Sequence, residues 1–229
     1  MAPQYFYAFD MAQQLGLKDK CLGVFKYGSS TYGTKTDKSD LDIVYIADAD
    51  KEIYEVLQSK DFPFCSGYTE KVDLHYISKE SFIDLLNKHD IMALEIYYQM
   101  REEEKLMYPF NLNLDTLRRS VSAVCSNSWS KARKKLEIPE EDDYIGLKSL
   151  FHSIRILSFG IDIAKDGKID YLNVLIDANT GEKISCSNFW HRLQQKYESG
   201  WRWIEFKKEY TPLQNANATS FRLLAPKVD

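Results

Sequence analysis

No stretch of this chain approaches the run of about 20 apolar residues that a bilayer crossing requires. The N-terminus, MAPQYFYAFD, lacks the basic-then-apolar order of a secretory signal. A cytoplasmic protein with no membrane partner is therefore expected. Cysteine is sparse: Cys21, Cys65, Cys125 and Cys186 lie far apart and form no CxxC pair, which argues against zinc knuckles and a disulfide framework. An excess of basic charge is also missing, since 30 Lys and Arg against 34 Asp and Glu leave a formal charge of −4. Coating nucleic acid in bulk takes a basic surface, so any polyanion must be met at a local patch.

What is present is ordinary globular material. The chain has 229 residues, 44% hydrophobic and 28% charged, enough for a substantial core and well outside disordered or fibrous composition. Its pattern has two regimes. Over residues 1–78, strand-like runs VFKYG, DLDIVYIA and KVDLHYIS surround the stretch KEIYEVLQSK, which reads as an amphipathic helix. A small mixed α/β core is expected there. From residue 79 the spacing becomes helical: SFIDLLNKH with Ser78 and Ser81 as cap residues, IMALEIYYQMREEEKL, LDTLRRSVSAVCSNSWSKARKKLE, and YIGLKSLFHSIRILSFGIDIAKDG ending near Gly167. Pro109 and Pro139 stand at the breaks. A helical domain over 79–180 and a C-terminal helical segment and tail over 181–229 complete an α+β fold. DYLNVLIDANTGEKISC reads as a loop or a short strand pair, because NTG is a turn signal, and TPLQNANATSFRLLAPKVD shows no clear period.

The chemistry lies in YGSSTYGTKTDKSDLDIVYI. With 41–46 as a strand, a period of two puts Asp40 and Asp42 on one face and Leu41 and Ile43 on the other. Two carboxylates side by side repel unless a cation sits between them, and oxygen ligands of this kind suit Mg²⁺ or Mn²⁺. A third carboxylate, Asp73 in KVDLHYI, would complete a two-metal phosphoryl-transfer site, with Glu70 as the fallback. Gly28 allows the backbone to pass close to phosphate oxygens. The N–H groups that follow at Ser29 and Ser30, entering a short helix at STYG, hold terminal phosphates together with the Ser29 hydroxyl.

Gly28-Ser29, ten intervening residues, Asp40-Leu41-Asp42 and a later strand-borne Asp73 resemble the signature of the DNA polymerase beta superfamily of nucleotidyltransferases. The longer stretch is similar to its RNA-repair-pathway polymerase-beta-like branch. DLHYISKESFIDLLNKHDIMALEIYY, with the pair Leu94-Glu95, and LKSLFHSIRILSFGIDIAKDGKI, with His152 and Arg155, resemble two further elements of that branch. The chain departs from the branch at Ser30, where an arginine commonly follows the glycine-serine pair, and at Leu41 between the aspartates. The resemblance implies a minimal nucleotidyltransferase fold followed by helices that close over the nucleotide. It also implies transfer of a nucleoside monophosphate from an NTP, ATP being expected, to a hydroxyl. An RNA end is the preferred acceptor; a tRNA acceptor end, a protein side chain or a small molecule are the alternatives. A protein partner is left open. A catalytically silent nucleotide-binding module is the rival of another class, disfavoured because binding alone needs no third acid.

Outside the motif, Lys148, His152 and Arg155 recur at helical spacing and share one face. That face reads as nucleotide-binding, or as a solvated face paired with local acids. The run Lys131-Ala132-Arg133-Lys134-Lys135 suits an RNA backbone or a helix dipole equally. His75 shares a face with Asp73 but reads first as structural. The aromatic stretches YFYAF and WRW read as packing ahead of base stacking, and Glu102-Glu103-Glu104 as a solvated helix face.

Overall fold

The computed structural model describes residues 10, 12–13, 16, 20–37, 39–49, 54–58, 71–138 and 142–227. The chain forms two compact units, residues 1–111 and 112–229. The division falls after residue 111, not at residue 78. The helix that follows the last strand of the sheet buries Phe82 and Leu86 and packs on the sheet itself.

In the first unit, β1 (Cys21–Lys26), β2 (Leu41–Ala47), β3 (Tyr54–Gln58) and β4 (Val72–Ser78) form one mixed sheet in the order β1-β2-β4-β3. The central pair β2/β4 is parallel and both outer pairs are antiparallel. A parallel pair must be covered on both faces, and the sequence of β2 meets that demand. Leu41, Ile43, Tyr45 and Ala47 join Val72, Leu74 and Tyr76 in one buried cluster, while Val44, Ile46 and Ile77 are buried from the opposite side. Tyr45 and Tyr76 are register partners, and their rings stack at 5.6 Å.

The stretch KEIYEVLQSK corrects the helix expected there: its residues Tyr54–Gln58 are strand β3. Its apolar spacing is too short to separate a period of 3.6 from alternation. Pairing with the outer edge of β4 decides the matter, and Tyr54 and Val56 remain exposed on this edge strand.

Short helices follow. After α1 (Ser29–Tyr32) in the β1–β2 connection, α2 (Lys79–Asn87) is capped by Ser78, whose Oγ accepts from the Ser81 N–H. The single helix expected over IMALEIYYQMREEEKL is instead two, α3 (Ile91–Tyr97) and α4 (Glu102–Lys105). The second starts afresh where the Arg101 N–H donates to the Glu104 carboxylate at 2.8 Å, one half of a capping box, which marks a helix start. Glu102 and Glu103 are exposed, as expected of a solvated face.

The second unit is built on α5 (Leu114–Glu137) and α6 (Asp143–Asp166). They run antiparallel with Leu136 against Gly146 and Val121 against Gly160, where an added Cβ would press on those side chains. The hairpin β5 (Asn173–Asp177) and β6 (Glu182–Ser185) turns at Gly181, so the strand pair is the correct one of the two readings. α7 (Cys186–Glu198) and α8 (Trp203–Leu224) complete the unit.

Residues 211–224 of the stretch without clear period belong to α8, which tolerates Pro212 within it. Its buried positions Trp203, Phe206, Tyr210, Asn217 and Phe221 follow a helical stripe, but one of them is an asparagine and broke the apolar pattern. Asn217 is fully buried, and its Nδ2 donates to the Leu175 carbonyl at 3.1 Å. From α6, Ser158 Oγ accepts the Leu175 N–H at 3.1 Å, so two side chains satisfy both backbone groups of one strand residue. Asn217→Ala strands that carbonyl and should destabilise the protein by about 1–3 kcal/mol in urea unfolding. An unchanged midpoint would show that the hydrogen bond contributes nothing net. Among the described residues no helix is long and apolar enough to cross a membrane.

Candidate functional site

The site of the first unit grows from the end of β1. Tyr27 still pairs with the sheet, its N–H donating to the Asp42 carbonyl at 3.2 Å, and then Gly28 turns the chain with φ 69° and ψ −150°. That backbone region is nearly closed to residues with a Cβ. Space closes it as well, since a Cβ at Gly28 would fall on the Asp42 carboxylate. The glycine therefore brings the start of α1 against an acid with nothing in between.

Ser29 follows, 7% exposed, and its Oγ is buried without a hydrogen-bond partner. Native proteins rarely leave a buried hydroxyl unpaired, and such groups mark sites where something else binds. Ser30 differs: its hydroxyl donates to the Tyr27 carbonyl at 3.1 Å, and Thr31 likewise closes on Gly28 at 2.7 Å. These bonds stiffen the turn.

Asp42 and Asp73 are direct register partners on the parallel strands β2 and β4, each partly buried. Neighbouring strands lie about 4.8 Å apart, so the two carboxylates leave the same face side by side. Asp40 sits one residue ahead of β2, partly buried and outside the ladder. Among the described residues, no group of three or more His, Cys, Asp or Glu side chains is gathered to hold a metal ion. What the structure assembles is a carboxylate pair, an unpaired hydroxyl and a bare glycine surface. These are hard oxygen donors, and they fit Mg²⁺ or Mn²⁺ in chemical type. Glu70, YFYAF, Cys65 and Pro139 lie outside the described residues.

His75 lies two residues beyond Asp73 on the same face. The Tyr27 hydroxyl meets its Nε2 at 2.6 Å and the Tyr54 hydroxyl its Nδ1 at 3.1 Å. With both ring nitrogens engaged by tyrosines, this imidazole is a strut. Burial pushes its pKa down, opposed in part by Asp73. Burial, followed by the charges of Asp42, Tyr54, Glu95 and Asp73, drives the Tyr27 phenol strongly up, so it stays protonated. Tyr27 was missed in the sequence although it directly precedes the glycine-serine pair; a tyrosine beside a turn carries no signal of its own. Glu95 in α3 is 2% exposed and accepts a hydrogen bond from the Tyr32 hydroxyl of α1. That bond ties α3 to the short helix bearing Ser29.

In the second unit, Lys148 is exposed, His152 partly buried and Arg155 3% exposed along one face of α6. Burial first, then Arg155, Lys148 and Lys131, push the His152 pKa down to about 3. One member of the basic run in α5 therefore acts on the α6 group, a link that sequence spacing does not reveal. Another, Arg133, pairs with Glu137 at 3.6 Å. The aromatics of WRW serve packing: Trp203 meets Trp129 at 5.1 Å between ring centroids, and Trp201 meets Phe206 at 5.5 Å.

No family model matches the chain, and no curated protein matches it. Among solved structures it is similar to a nucleotidyltransferase-like protein from Exiguobacterium sibiricum 255-15, with a TM-score of 0.32 and 10% identity, covering 94% of this chain and 72% of that one. A likeness of this degree does not bear on what the chain does.

Proposed function

We propose that the protein is a metal-dependent nucleotidyltransferase that moves a nucleoside monophosphate from an NTP, ATP by preference, to a hydroxyl at an RNA end. The observation that carries this reading is the in-register pair Asp42 and Asp73 with Gly28 packed against the Asp42 carboxylate. The glycine-serine signature and the strand-borne acids belong together chemically, since one binds phosphates and the other handles the charge and proton of their transfer.

In this reading Asp40, Asp42 and Asp73 hold Mg²⁺ or Mn²⁺. When bound, the metal supplies acidification of the acceptor hydroxyl and neutralisation of triphosphate charge. Gly28, Ser29 and Ser30 bind the β- and γ-phosphates: Gly28 by letting the backbone approach, Ser29 by its unpaired hydroxyl, and Ser30 by its N–H, its own hydroxyl being turned to the Tyr27 carbonyl. Asp73 takes the proton as the acceptor oxygen bonds to the α-phosphorus and the bond to pyrophosphate breaks. Lys148, His152 and Arg155 bind nucleotide phosphate oxygens, Arg155 with a planar pair of donors. The choice of an RNA acceptor rests on the branch resemblance.

The test supplies Mg²⁺ and each α-³²P-labelled NTP with total RNA, defined tRNA, protein lysate, small-molecule hydroxyls or no acceptor, alongside the Asp40→Ala/Asp42→Ala variant. Label on RNA with the intact protein alone is the expected result. Label on protein, on tRNA ends only or on a small molecule keeps the chemistry and replaces the acceptor. NTP binding with no transfer anywhere would make the chain a silent nucleotide-binding module and overturn the reading.

A further inference from the structure

α5 turns one side inward and leaves the other to solvent. Leu117, Val121, Cys125, Ala132 and Leu136 are buried at helical spacing, and the opposite side, toward the C-terminal end, exposes Ser126, Asn127, Ser130, Lys131, Arg133 and Lys134. No aspartate or glutamate occurs anywhere between Asp115 and Glu137, in a chain that has more acids than bases. This face is therefore a local reversal of the net charge of −4.

Neither ordinary use of surface cations accounts for it. Lys131 and Arg133 precede the last turn, which holds Lys134 and Lys135, and a helix dipole acts mainly on charges within that turn. Three and four residues from Lys131 stand Asn127, Ser128, Lys134 and Lys135, so α5 itself supplies this lysine with no acid to pair with. Arg133 reaches Glu137 at 3.6 Å, an exposed pair of little weight. Like charges at these spacings destabilise a helix, and phosphates laid across them offset that repulsion.

We propose that this face of α5 binds the backbone of a single RNA strand. From Ser126 to Lys134 it runs about 12 Å, the reach of about three phosphates, and the cations Lys131, Arg133 and Lys134 meet them. Ser126, Asn127 and Ser130 each donate and accept hydrogen bonds, which matches the 2′-hydroxyl, itself donor and acceptor, that separates RNA from DNA. An anionic membrane fits less well, since interfacial binding needs apolar side chains to insert and none of these six exposed residues is apolar. The proposal deepens the RNA-end reading above and rests on it for the kind of partner, while the contacts do not depend on the transfer chemistry.

Fluorescence anisotropy of a short labelled single-stranded RNA with the whole chain, in EDTA and without NTP, tests this across a range of salt. Lys131→Gln/Arg133→Gln/Lys134→Gln should weaken binding by about tenfold or more and flatten the slope of log K against log salt by about 2, each phosphate contact to a single strand contributing about 0.7. All three side chains are exposed, opposite the buried stripe, so the urea unfolding midpoint of the variant should be unchanged or higher. Lys165→Gln/Lys207→Gln/Lys208→Gln makes the same change in net charge at exposed positions of α6 and α8 and should shift affinity by no more than about twofold.

Ser126→Ala/Asn127→Ala/Ser130→Ala should narrow the preference for RNA over DNA of matching sequence. Equal affinity of the intact protein for the two strands, equal weakening by the two charge variants, or anionic lipid vesicles bound as tightly as RNA would each overturn the proposal. A lower unfolding midpoint with unchanged RNA binding would assign the cations to the helix and overturn it too. Failure of label transfer with RNA binding intact would sink the transferase reading and leave this surface standing, whereas transfer to RNA that is indifferent to Lys131, Arg133 and Lys134 would do the reverse.

Discussion

Asp42→Asn and Asp73→Asn should each reduce nucleotidyl transfer by about a thousandfold while leaving urea unfolding unchanged or shifted to higher midpoint. The direction of the stability effect separates function from structure. The two carboxylates are register partners on neighbouring strands, and like charges directly opposite each other destabilise a sheet. Converting one to an amide of the same shape removes that repulsion without opening a cavity. A structural acid would behave in the opposite way, since its loss would leave donors unpaired. Transfer, by contrast, depends on the charge of both groups if they hold metal and receive the acceptor proton. Measured turnover in either variant close to that of the intact protein would remove these residues from the chemistry.

Gly28→Ala is expected to be the most damaging change in the glycine-serine turn. The backbone at Gly28, φ 69° and ψ −150°, lies in a region nearly restricted to glycine, and forcing alanine into it costs about 1–3 kcal/mol. The new methyl also meets the Asp42 carboxylate, so either the turn or the acid must move. Stability and transfer should therefore fall together. Gly33→Ala is the comparison, because Gly33 ends the same short helix with φ 70° and ψ 24° and has open space around it. It should cost about 1 kcal/mol from the left-handed backbone alone and keep transfer. Equal losses of transfer in the two variants would show that the approach of Gly28 to Asp42 has no part in the activity.

Much of the first unit was legible because its signals are local. Strands β2 and β4 carry enough β-branched and aromatic residues to declare themselves, and the glycine-serine corner declares a turn. Strand β3 was not legible: the five residues Tyr54–Gln58 fit a helix equally well until the edge of β4 claims them. The break between α3 and α4 was hidden for a similar reason, since Glu104 reaching back to the Arg101 N–H interrupts a stretch of good helix formers. In α8 a single buried asparagine disguised a regular stripe. Its partner is the carbonyl of Leu175, 42 residues away in sequence, and no window of sequence contains both.

By itself the sequence determined which residues share a face and where the backbone must turn, because residue type and spacing of two or three and four are properties of the chain. It placed Gly28, Ser29, Asp42 and Asp73 on a turn and two strands, and it marked Lys148, His152 and Arg155 as one helical face. Tertiary structure alone decided that Asp42 lies opposite Asp73 and not one residue out of step. It also left the Ser29 hydroxyl without a partner, locked His75 between Tyr27 and Tyr54, and set Lys131 to act on His152. Register, burial and charge coupling depend on what packs against each element, and that is settled only when distant segments compete for the same surface.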